Sequence, residues 1–132
     1  MWQRIDLSDV GLSFAYPRLT PEGQHVVVDD VRIHVQSLDG RRVYLEVSRQ
    51  WNLSAAQAHE RERAYVRDRH GAVVEPLEQT TFAGWPAQSF SCEWAKTRRV
   101  FTYVERGEWL YQIVHDPDSA LDVDILGTLR LQ

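Results

Sequence analysis

One stretch limits the folds open to this chain more than any other: Val100 to Pro117, VFTYVERGEWLYQIVHDP. It places Phe101, Tyr103, Trp109 and Tyr111 close together, folded about Gly107. A two-residue turn at Arg106-Gly107 puts Val100, Thr102 and Val104 on one side with Trp109, Tyr111 and Ile113. Phe101 and Tyr103 then share the other side with Leu110 and Val114. A three-residue turn exchanges the partners but leaves both faces apolar. A ribbon of that kind belongs at the centre of a sheet covered above and below. Large rings on both faces are too costly to leave in water, so these aromatics are expected to be core and not a gripping surface.

Composition narrows the setting. The 132 residues are 43% hydrophobic and 26% charged, which suits one folded domain over residues 1–132 and excludes a disordered chain. A net charge of −4 gives no pull toward nucleic-acid phosphates or anionic lipid. The opening MWQRIDLSDVG lacks the apolar core of a secretory signal, and the β-branched run Val26 to Val28 is far too short to span a bilayer. The expectation is therefore a cytoplasmic protein with no membrane insertion. Cys92 is alone, which excludes an intrachain disulfide and a cysteine-based zinc cluster. With Phe90 and Trp94 at period two, it reads as a small buried hydrophobe.

The rest of the chain supplies the layers. LSFAYP (Leu12 to Pro17) alternates and stops at a proline, as a short strand does, and Leu19 to Gln24 reads as a loop. Val31, Ile33 and Val35 then alternate toward a hairpin with Val43, Leu45 and Val47. A three-residue loop, Leu38-Asp39-Gly40, pairs Val35 with Val43, Ile33 with Leu45 and Val31 with Val47, with Gly40 in a G1 bulge. One face of that hairpin is apolar and the other polar.

A helix follows with clear punctuation. Ser54 is its N-cap, Gln57 completes a capping box, Leu53 staples onto Ala58, and Gly71 ends it. Its inward stripe is expected to be Ala55, Ala58, Tyr65 and Val66. Strands are expected over Ala72 to Leu77 and up to Trp94. A last helix has Asp116 as N-cap, Pro117 at its first position, Asp118 in its first turn, and an apolar stripe of Leu121, Ile125 and Leu129. The predicted order is β-β-β-α-β-β-β-β-α: an α+β fold, a three-layer α/β/α sandwich around a mainly antiparallel sheet.

Few constellations carry chemistry. The sequence contains no phosphate-binding glycine loop, nucleophile elbow, HExxH or paired CxxC. No residue is assigned to catalysis. The nearest acid–base candidates are His115 and Asp116 at a strand end, with Ser119 close by. Adjacent strand residues point to opposite faces, so capping by Asp116 competes with catalysis there. DPDSALDVD offers Asp116 and Asp118, then Asp122 and Asp124, as carboxylates for a metal. It fails the EF-hand pattern at Ala120, Leu121 and Gly127, and acidic residues suit a helix start without any metal. No cofactor is expected. Trp85, between Gly84 and Pro86, either anchors a partner or plugs the rim of the sandwich.

In this order of elements the chain resembles the PsbP/Mog-type superfamily, which includes PsbP-like and DcrB-like small bacterial proteins. The resemblance lies in LSFAYP, in Gly84-Trp85-Pro86-Ala87, in ERGEWLYQIVHDP and in the closing SALDVDILGTLRL. It covers most of the chain as a pattern of apolar positions, not as a catalytic signature. It implies an α/β/α sandwich that binds without catalysis, and it transfers no site residues. The chain is expected to depart from many relatives, with no lipoprotein or thylakoid leader and no tryptophan soon after Tyr16-Pro17. The function expected is a non-enzymatic module that binds a protein or associates with itself, through a sheet edge or the Trp85 region. The alternative is a small-molecule binder or hydrolase near His115 and Ser119.

Overall fold

A computed structural model describes residues 2–7, 9, 11–17, 24–28, 32–37, 43–70, 73–94 and 97–131. Five strands come first: β1 (Trp2–Leu7), β2 (Leu12–Pro17), β3 (Gln24–Val28), β4 (Arg32–Ser37) and β5 (Val43–Trp51). Helix α1 (Ala55–His70) follows, then β6 (Val73–Val74), β7 (Glu78–Phe82), β8 (Trp85–Trp94), β9 (Thr97–Arg106) and β10 (Trp109–His115). Helix α2 (Ala120–Leu126) and β11 (Arg130–Leu131) complete the order.

The strands form two antiparallel sheets. The larger runs β3-β4-β5-β10-β9-β8-β6, with β7 also on β8; the smaller runs β1-β2-β11. The class is α+β, as expected, but the element order differs from the prediction. β1, β3, β7 and β11 are additions, and the strand expected over Ala72 to Leu77 shrinks to Val73–Val74. β7 is polar and, apart from Phe82, exposed, so it offers no apolar alternation to read.

The central ribbon lies where its pattern put it. Phe101, Tyr103 and Leu110 are buried on one face, and Val104, Tyr111 and Ile113 on the other. The turn is Gly107-Glu108, with Arg106 opposite Trp109 and Val104 opposite Tyr111. Gly107 holds φ +61°, a conformation that penalises any side chain. The β4–β5 pairing also slides by two residues from expectation: Ile33 faces Val47 and Val35 faces Leu45, with an irregularity at Val35/Gln36. An even slide leaves the period-two patterns of the two strands in phase. The expected loop at Leu38 to Gly40, Val31, and the Gly71 stop lie outside the described residues.

Two apolar clusters occupy the two faces of the large sheet. On one, Ala55 and Ala58 of α1 meet Phe90, Cys92, Phe101, Tyr103 and Leu110. Phe90 and Phe101 stack at 4.8 Å, and each ring taken from water contributes about 2–3 kcal/mol. On the other face, Ile125 of α2 and Leu12 and Phe14 of β2 cover Leu45, Val47, Val104, Tyr111 and Ile113.

Helix α1 begins as its sequence dictates. The Ser54 backbone N–H donates to Gln57 Oε1 at 3.0 Å, and the Gln57 N–H donates to Ser54 Oγ at 3.1 Å. Its inward stripe needs correction. Ala55, Ala58 and Val66 are buried, but Tyr65 is 50% exposed, and half-buried Glu62 fills the position between Ala58 and Val66. Ala58, Glu62 and Val66 advance by about 40° at each step around the helix, so with Ala55 they form one stripe centred near Glu62, and Tyr65 falls at its edge.

Candidate functional site

The turn from β10 into α2 gathers three of the candidates. His115 is buried at the strand end, and burial pushes its ring pKa down despite the opposing pull of the Asp116 carboxylate. Among the described residues its Nδ1 has no hydrogen-bond partner. Ser119, not Asp116, is the N-cap of α2, and its Oγ accepts the Asp122 backbone N–H at 3.3 Å. Asp116 heads the preceding turn instead: its Oδ1 accepts the Asp118 N–H at 2.9 Å, and its Oδ2 lies 3.5 Å from Arg99 Nη1. DPDS places three cap-competent side chains within four positions, and the turn geometry selects the last.

Fully buried Asp122 ties this turn together. Its Oδ2 accepts the Asp116 backbone N–H at 2.8 Å. Asp118 and Asp124 are exposed while Asp122 points inward, so the four carboxylates of DPDSALDVD do not converge. Among the described residues no group of three or more His, Cys, Asp or Glu side chains is placed to hold a metal ion. His115 Nδ1 has no hydrogen bond to Ser119 or Asp116, and the Ser119 Oγ is engaged by the Asp122 backbone N–H. The arrangement caps a helix and closes a turn.

A second constellation sits at the far end of the ribbon, on the α2 side of the sheet. Pairing places Arg106, Trp109 and Trp51 in one row across β9, β10 and β5. The Arg106 guanidinium lies 4.4 Å from the Trp85 ring centroid and 5.8 Å from that of Tyr111. Arg49 lies 3.9 Å over Trp109, and its Nη1 donates to the Asp9 carbonyl at 3.3 Å. Trp51 meets Trp109 edge-on at 4.9 Å and is 56% exposed. Trp85 and Trp109 are part-buried against the rim of the core. Such cation–π pairs hold an extended aromatic surface rigid at the edge of water.

Sequence reasoning singled out Trp85 but not Trp51, Arg49 or Arg106. The missing signal was the β5–β10 pairing, which brings residues 58 positions apart side by side (Trp51 and Trp109). Cys92 is a buried free thiol, as its period-two neighbours indicated. Among the described residues no helix is long and apolar enough to cross a membrane.

No family model and no curated protein matches this chain. The solution structure of cyanobacterial PsbP (CyanoP) from Synechocystis sp. PCC 6803 does match in fold. The TM-score is 0.67, over 99% of this chain and 92% of that one, at 15% sequence identity. The two sheets and two helices thus define a PsbP-like α+β fold. At that identity the likeness shows the fold alone.

Proposed function

We propose that the chain is a single-domain, non-enzymatic binding module on a three-layer α/β/α scaffold. In this reading it engages a protein partner through the row Trp51–Trp109–Arg106–Trp85. The observation behind it is that row: three tryptophans and an arginine, braced by Arg49 and Tyr111 and reaching solvent at Trp51. Trp, Tyr and Arg dominate the energetics of protein interfaces because they bring large, rigid contact area with a polar edge. The PsbP-like fold supports an accessory role without catalysis. A single, buried, unbridged cysteine is compatible with the cytoplasmic setting included in this reading.

Capture from native lysate by the full chain, compared with Trp51→Ala, tests the proposal. Size-exclusion light scattering separates a foreign partner from a second copy of the chain. Loss of an exposed hot-spot tryptophan is expected to weaken capture by about 2 kcal/mol or more with little change in melting temperature. A strict monomer that captures nothing, or a silent Trp51→Ala, contradicts it.

A further inference from the structure

Helix α1 grips the large sheet with little apolar area. Its buried side chains are Ala55, Ala58 and Val66, and a buried alanine removes far less surface from water than a leucine. The Ser54–Gln57 box secures the first turn. Beyond it the helix packs on β6, β8 and β9 and leaves an open trough over β5 and β10, beside Arg61 and Glu62. Glu62 stands at the centre of the inward stripe, where the helical period calls for an apolar residue, and it is half-buried there.

The groups that face Glu62 do little to settle its charge. Arg61, beside it on α1, is exposed. His59, one turn earlier, packs on the Phe90 ring, with its Nε2 at 3.0 Å from the Glu75 carbonyl oxygen. On β5, half-buried Glu46 shares the α1 face, because Gln50 pairs with Leu110 of the α1 cluster and alternate residues keep to one side. β8 offers the Cys92 thiol, and β9 offers the Tyr103 hydroxyl and Arg99, whose Nη1 lies 3.5 Å from Asp116 Oδ2. β10 presents Leu110, Gln112 and Val114, and β6 presents Val74, none of which titrates. Burial holds the Glu62 carboxyl above its ordinary 4.5; Arg61 draws it down and Glu46 pushes it up.

An ionised Glu62 regains its hydration when the helix lifts. Closure is therefore fully favoured below the ordinary value of 4.5 and loses stability as pH rises through the raised pKa. We propose that α1 is an acid-tightened cover with the Glu62 carboxyl as its switch, lifting from the sheet more often at neutral than at mildly acidic pH. Lifting uncovers Phe90, Phe101 and Leu110, on the face opposite the tryptophan–arginine row.

Cys92 reports the opening, since it is 2% exposed and packs in one cluster with Ala58. The full chain is labelled with methyl methanethiosulfonate between pH 8 and pH 5. Dividing the rate of the urea-unfolded chain by the native rate at each pH cancels the thiolate fraction and gives a protection ratio. At pH 8 Glu62→Gln is expected to be protected about fivefold more than the parent, and the gap should shrink toward pH 5. His115 is present in both chains, so its own titration cancels in the comparison. Glu46→Gln should move protection the same way by less, and it carries the comparison if a urea melt shows that Glu62→Gln does not fold. Native rates should stay level across low urea, as a local opening requires. Equal protection at pH 8, an advantage that persists unchanged at pH 5, or labelling that rises with urea in step with global unfolding overturns the proposal.

Discussion

Glu105 on β9 caps a helix that begins fifty residues earlier: its Oε1 accepts the Ala55 backbone N–H at 2.7 Å. The Ser54–Gln57 capping box holds its own pair of N–H groups, and Glu105 adds a third contact that ties the helix start to the sheet. A carboxylate there also suits the positive end of the α1 dipole. Glu105→Ala is expected to lower the unfolding free energy by about 1 kcal/mol, read from urea denaturation. Glu105→Gln should recover part of the loss by restoring an acceptor. An alanine variant as stable as the parent would show that the contact contributes nothing.

His115 gives the fold a pH dependence of predictable sign. Its pKa is lowered by burial and, to a lesser extent, by Arg99, against the opposing Asp116. The unfolded chain therefore binds more protons at this site than the native one, and stability falls as pH drops below the ordinary histidine value of 6.5. Melting temperatures from neutral to mildly acidic pH should fall more steeply for the parent than for His115→Gln. Parallel profiles would remove His115 as the cause.

Cys92 is buried on the α1 side of β8, where burial and the Glu62 carboxylate push its thiol pKa up to about 11. At pH 8 about one thiol in a thousand is ionised. A disulfide reagent such as dithiobis-nitrobenzoate should therefore label the native chain slowly and label it fast once urea unfolds it. Equally fast labelling in both states would mean that the strand is open.

The β7–β8 turn holds avoidable strain. Ala83 and Gly84 both have positive φ, 51° and 82°, between paired Phe82 and Trp85. Two left-handed residues make a type I′ turn, which favours Asn-Gly. Ala83→Asn is expected to stabilise the chain by about 0.5–1 kcal/mol. A side chain at Gly84 would meet no atom within 4 Å, so Gly84→Ala isolates backbone strain, at about 1–2 kcal/mol of destabilisation. Calorimetric melting of the two variants in opposite directions would verify the turn type.

How much of this could be read from residues alone follows from what each pattern encodes. The ribbon and α1 were legible because period two, period 3.6 and the Ser54–Gln57 box are local signals. Strand register was not, since sliding Ile33 from Leu45 to Val47 leaves the period-two patterns of the two strands in phase. Edge strand β7 escaped because exposed polar residues need no alternation. Within the inward stripe of α1, Glu62 in place of Tyr65 turned on a difference of about 60° around the helix. The tryptophan–arginine row required a strand pairing that no local window contains. Ser119 in place of Asp116 as the α2 cap was decided by the Asp122 carboxylate, six residues from the backbone N–H that it holds.

The central claim is that the exposed end of the ribbon, and not the His115 turn, meets a partner. It is tested most directly by a photo-crosslinking residue at Glu108, in the exposed turn beside Trp109, against one at Asp118 beside the α2 cap. Irradiation of native lysate should give a discrete adduct from position 108, abolished by Trp51→Ala, and none from position 118. Adducts from 118 alone, or an adduct from 108 that survives Trp51→Ala, would contradict the account.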